Sequence, residues 1–127
     1  MARLVWYEAP ARHVVKDNDG MVGRWMDNRG RALVRLAKNQ VGVDTGDLRN
    51  SIGHKTTGKS YGIHLAVYAR DRKALMHHEG TVPHPILPKD QKTLRFVQNG
   101  KVRYAKRVFH PGTKPNRFLT DNVRKVF

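Results

Sequence analysis

The spacing of hydrophobic and polar positions changes along the chain, and each change predicts a different element. From Met21 to Gln40, Val22, Trp25, Met26, Leu33, Leu36 and Ala37 recur at three- and four-residue steps, with Arg24, Arg31, Arg35 and Lys38 mostly on the other faces. That rhythm predicts one long amphipathic helix whose apolar stripe enters the core. Asp17-Asn18-Asp19-Gly20, just before it, supplies capping and turn chemistry. Residues 1–16 show no clean period, and Pro10 interrupts an early helix. They read as an N-terminal arm, flexible or docked on a partner, and residues 17–127 as a single domain.

Beyond the helix the period shortens. Leu48 and Ile52 lie four apart in a polar stretch where Asp44 or Thr45 can cap one or two helical turns. Residues 56–62 read as a turn between two strands, the second being Ile63–Ala69, where Ile63, Leu65 and Val67 alternate with His64, Ala66 and Tyr68. Residues 70–92, with Pro83, Pro85 and Pro88, read as a long irregular loop. Two alternating runs, 93–98 and 101–108, flank Asn99-Gly100, a strong hairpin signal. The segment from His110 to Pro115 ends the second run. A short terminal helix follows over residues 116–126, with Phe118, Leu119, Asn122, Val123 and Val126 on one side. The predicted fold is α+β: a long N-terminal and a short C-terminal helix packed on a mostly antiparallel β-sheet, with a long irregular loop.

Composition narrows this picture. The 127 residues suit one domain, and a mean hydropathy of -0.66 with 39% hydrophobic residues implies a thin core, or apolar surface covered by neighbours. Cysteine is absent, which removes disulfides, thiolate metal sites and cysteine nucleophiles. The start of the chain lacks the apolar core of a signal peptide, and no run of about 18 apolar residues could span a membrane. Synthesis in the cytoplasm and no membrane partner are the expectations. The formal net charge is +15, and residues 89–127 hold eleven Lys and Arg against two acids. Such a field attracts polyanions: nucleic acid, an acidic protein surface or anionic lipid.

Candidate chemistry is sparse. His77, His78 and His84, with Glu79, are suitable zinc ligands and suggest a metal-dependent hydrolase, but adjacent histidines point apart in regular structure and no HExxH spacing occurs. The favoured reading leaves them as surface or polar-packed side chains, with no metal and no cofactor. No nucleophile elbow or phosphate loop is present, and the only glutamates are Glu8 and Glu79. An enzyme is not expected. Arg95, Lys101, Arg103, Lys106 and Arg107, interleaved with Phe96, Tyr104 and Phe109, are candidate polyanion contacts on a basic sheet with stacking rings. The plainer reading, favoured here, sends the aromatics into the core and leaves the cations solvated.

Three segments taken together resemble a known family. They are Asp44-Thr45-Gly46-Asp47-Leu48-Arg49-Asn50-Ser51-Ile52; Tyr68-Ala69 followed by His78-Glu79-Gly80-Thr81; and His110-Pro111-Gly112-Thr113-Lys114-Pro115-Asn116-Arg117-Phe118-Leu119. In this order they resemble the neck, or tail-completion, proteins of long-tailed bacteriophages, also labelled minor tail or head–tail joining components. The resemblance runs from about residue 20 to the end. It implies a virion structural protein, a subunit of a homo-oligomeric ring at the head–tail junction. It also implies neighbours among connector or stopper, tail-terminator and tail-tube proteins, with contact at or near the DNA channel. The motif residues read as fold determinants: Gly46, Gly80 and Gly112 at tight turns, Pro111 and Pro115 fixing the approach to the last helix, Phe118 and Leu119 anchoring it. The alternative reading, from the charge alone, is a sequence-nonspecific nucleic-acid-binding protein.

Overall fold

The helical rhythm becomes α2, Met21–Gln40, in the computed structural model, which describes the backbone of residues 8–127 and the side chains of residues 12–127. The face that α2 buries is rotated from the expected stripe. Gly23, Gly30, Leu33 and Ala37 are buried, as is Val41 just beyond, whereas Trp25 is 47% exposed. The cause is the close crossing of β1, Ile52–Lys59. A Cβ on Gly30 would stand 2.5 Å from the His54 ring, so the strand passes where α2 offers no side chain. Trp25 is displaced to the rim. There it meets Phe127 edge-on at 5.7 Å, with the Arg29 guanidinium 5.0 Å from its ring centre.

Ahead of α2, residues Glu8–Lys16 form α1. Pro10, expected to break a helix here, falls in the first turn, where an amide has no intrahelical acceptor to lose. Residues 1–7 of the expected arm lie outside the described residues.

β1 pairs antiparallel with β2, Gly62–Ala69, in a register running from Ile52↔Ala69 to Lys59↔Gly62. Residues 56–59, expected in a turn, are therefore strand, because the whole of β2 finds ladder partners and the connection shrinks to Ser60-Tyr61. Ile52 and His54 share the helix-facing side with Val67 and Leu65, and α1 and α2 pack against this ladder. Ala37, Val41, Ile52 and Phe118 form the core, with Val34, Leu48, Ala69, Ala74 and Leu119 packed around it. The terminal helix is shorter than expected. Residues 118–122 are turns, and α5 covers only Val123–Val126, packed on α2. Phe118, Asn122 and Val126 nonetheless recur every four residues and are all buried.

Residues 75–116 form a second compact unit, distinct from the one made by 1–74 and 117–127. The expected loop over 70–92 carries structure: helix α4, Ala74–Glu79, and strand β3, His84–Ile86. β3 pairs antiparallel with β6, Val108–His110, placing Pro85 opposite Phe109. A two-stranded ladder has only edges, where a residue without an N–H is tolerated. β4, Leu94–Gln98, and β5, Lys101–Ala105, form the hairpin that Asn99-Gly100 predicts, with φ of 52° and 73° at the two turn residues.

The fold is mixed α+β with antiparallel pairing, but the single sheet expected from the sequence is replaced, among the described residues, by three separate two-stranded ladders. Only β1–β2 has eight-residue strands long enough to lie under α2; the other strands have three to five residues.

Candidate functional site

The first motif segment and the end of the third meet in one core. Gly46 caps α3, Asp47–Ser51, in the left-handed conformation at φ 90°. Of the two residues expected to cap this turn, Thr45 does so: its hydroxyl accepts the Asp47 N–H at 3.4 Å and donates to the Asp47 carboxylate at 2.8 Å, while Gly46 holds the N-cap position itself. Ser51 donates to the Leu48 carbonyl at 2.7 Å and closes the helix end. The turn directs Leu48 and Ile52 at Phe118, which is fully buried, with Leu119 beside it. Asp44 and Arg49 remain exposed.

Tyr68 and Ala69 of the second segment end β2, whereas its residues His78–Thr81 and the start of the third segment close on each other within the other unit. Thr81 and Thr113 exchange both backbone hydrogen bonds, at 3.1 and 3.0 Å, and their hydroxyls lie 3.0 Å apart. Gly80 and Gly112 flank this clasp at φ 76° and 85°. A Cβ on Gly80 would stand 2.6 Å from the Thr113 carbonyl oxygen, and one on Gly112 would collide with the Thr81 carbonyl oxygen. Both positions exclude side chains twice over, by conformation and by space. The Gly112 N–H donates to His110 Nδ1 at 3.0 Å, and the Asn116 N–H donates to the His77 carbonyl at 3.1 Å. Pro111 and Pro115 lie on either side of the clasp, both exposed, and Pro115 backs Gly80.

The histidines are distributed among separate partners. His77 Nε2 lies 3.3 Å from the Asn116 amide, His78 Nδ1 2.7 Å from Glu79 Oε1, and His84 Nδ1 2.9 Å from the Val82 carbonyl. His84 stacks on His110 with ring centres 5.1 Å apart. Among the described residues, the group whose ligand atoms converge within 4.8 Å is another one, His13, Asp17 and Asp19, all exposed. Its spacing straddles the α1–α2 connection and gave no metal-motif signal.

The five candidate polyanion contacts lie on or just beyond the β4–β5 hairpin, and all are exposed. Here the favoured expectation for the aromatics fails. Tyr104 is 66% and Phe109 64% exposed, and Phe96 is only partly covered. No residue of this unit is buried, so the rings of β4, β5 and β6 have no core within it to enter. In the register, Arg95 faces Tyr104 and Phe96 faces Arg103 across the ladder. No carboxylate among the described residues pairs with any of the five cations.

One polar cluster had no signal in the sequence. His54 Nε2 lies 2.8 Å from Asp27 Oδ1, and Arg31 donates to Asp27 Oδ2 at 2.8 Å, tying α2 to β1. The His54 hydrogen bond, and secondarily Arg31, hold the Asp27 carboxyl below its ordinary value of 3.8 against the opposing effect of burial. The partners are separated by 27 residues and adjoin no motif. Among the described residues, no helix is long and apolar enough to cross a membrane. No protein-family model, curated protein or solved structure matches the chain.

Proposed function

We propose that the chain is a structural subunit of the neck of a long-tailed phage, assembled as a homo-oligomeric ring at the head–tail junction between connector or stopper and tail proteins. The observation that carries this reading is that the third motif segment packs with the first at its end and pairs with the second at its start. Leu48 and Ile52 meet Phe118 and Leu119, and Thr81 meets Thr113, so the residues that carry the resemblance act together as fold determinants. The role is one of contact, without catalysis.

Exposure supports the same reading. No residue between Leu75 and Asn116 is buried, and large apolar side chains outside the β4–β5 hairpin, such as Leu75, Val82, Leu87 and Phe109, are open to solvent. A unit built from two short ladders with no buried side chain gains stability when neighbours cover it. In a closed ring each copy would cover part of the next through a heterologous interface.

Antibody–gold labelling of purified particles of the encoding phage, with a mass-spectrometric inventory of the same particles, tests the proposal. Label at the head–tail junction is the expected result. A chain absent from the inventory would sink it.

A further inference from the structure

We propose that the β4–β5 hairpin is a duplex-DNA contact that grips phosphates with Arg95, Lys101 and Arg103. This goes beyond the neck reading and does not depend on it. The first ground is charge. From Gln91 to Thr120 the chain contains no acidic residue, and the hairpin cations have no carboxylate partner among the described residues. A cation without an internal partner leaves its full field for an external anion.

The second ground is placement. Opposite residues of an antiparallel pair share a face, so Lys101 and Arg103 lie on one face with Phe96, and Arg95 on the other with Val97, Val102 and Tyr104. The ribbon is therefore positive on both faces, as an element flanked by two phosphate backbones needs to be. A two-stranded ribbon fits the B-DNA major groove, about 12 Å wide, whereas the deep, narrow groove of A-form RNA does not admit it. Five-residue strands extend about 17 Å. That length places cations near the tip, at Lys101, and near the base, at Arg95.

The same arrangement disfavours a lipid surface. A hairpin that enters a bilayer carries apolar residues at its tip, and here the tip is Gln98-Asn99-Gly100-Lys101. A second copy of the chain would bring like charge against like.

The test titrates the full chain against a duplex of about 30 base pairs at salt concentrations between about 50 and 200 mM. Three proteins are compared: wild type, Arg95→Gln/Lys101→Gln/Arg103→Gln, and a charge-matched control on α2, Arg24→Gln/Arg35→Gln/Lys38→Gln. Each phosphate contact contributes about 0.9 to the slope of log affinity against log salt. The hairpin variant should lose about 3 from that slope and bind about tenfold or more weakly at low salt. The α2 variant should keep the wild-type slope, and Arg95→Lys/Arg103→Lys should restore it. Equal losses in the hairpin and α2 variants would replace the site with a diffuse field and overturn the proposal. So would an unchanged hairpin variant, or wild-type binding to phosphatidylglycerol vesicles without binding to duplex. Sedimentation of each variant reports ring formation separately, so failure of the DNA contact and failure of the neck reading remain distinguishable.

Discussion

Phe118 stands where the chain's termini of contact converge: α2 at Ala37 and Val41, and the start of β1 at Ile52, all close on its fully buried ring. Removing that ring opens a cavity that turns and strand ends cannot collapse to fill. Phe118→Ala should therefore destabilise the chain by about 3–5 kcal/mol, read as a lower urea midpoint with little change in slope. Four residues on, buried Asn122 donates from one amide nitrogen to the Phe118 carbonyl at 3.1 Å and to Gln40 at 2.8 Å, and accepts from Lys125 at 3.0 Å. The sequence exposed Phe118 as an anchor through its motif and placed Asn122 on the same side of the helix, but the partner that satisfies Asn122 there, Gln40, lies 82 residues away and does not show. Asp27 makes a pH-dependent contribution. Its carboxyl is held below its ordinary value when folded, so the unfolded chain takes up the proton first on acidification. The stabilisation is complete above that ordinary value of 3.8 and is lost as pH falls through the lower folded value. The difference in unfolding free energy between wild type and Asp27→Asn should shrink as pH drops from about 5 toward 2; a constant gap would show that the His54 pairing does not stabilise the fold.

Among the elements, the long helix and the Asn-Gly hairpin were legible because each is specified locally, by period in one case and by turn chemistry in the other. The buried face of α2 was less legible. Hydrophobic patterning places Trp25 inward and is silent on glycine, whereas the close crossing of β1 selects Gly30. The ladder of β3 and β6 escaped the pattern for a different reason. Three-residue strands carry almost no period, and Pro85 argues against a strand unless the partner is known to leave an edge free. The Thr81–Thr113 clasp lies between these cases: its glycines mark turns in the sequence, but the pairing across 32 residues does not show there. Gly112→Ala forces a positive φ on a residue with a Cβ and drives that Cβ into the Thr81 carbonyl oxygen. Amide hydrogen exchange at Thr81 and Thr113 should accelerate together in this variant, while amides of α2 keep their protection. Acceleration throughout α2 to the same degree would mean that the clasp and the Phe118 core open as one unit.

At the scale of the whole molecule, charge and core are distributed in opposite ways. Every buried side chain belongs to the unit formed by residues 1–74 and 117–127, while residues 75–116 hold eight Lys and Arg, two acids and nothing buried. Ion pairs do little to relieve the net charge of +15. Among the described residues Arg31–Asp27 is the one between a permanent cation and a carboxylate, and the others depend on histidine. Self-repulsion in the folded chain should then outweigh attraction, and unfolding, which spreads the charges apart, relieves it. Added salt screens repulsion over a Debye length of about 10 Å at 0.1 M. The melting temperature should therefore rise as sodium chloride increases from about 0.01 to about 0.15 M, the range over which that length contracts from about 30 to 8 Å. A protein held by surface ion pairs responds in the opposite direction, so a falling melting temperature would refute the account. A polyanion that binds the folded state should raise it further at equal ionic strength, because binding adds mass-action stabilisation to screening. If duplex DNA produces that extra rise in wild type and not in the hairpin variant, the unpaired cations of β4 and β5 are both the main local source of repulsion and the place where it is relieved.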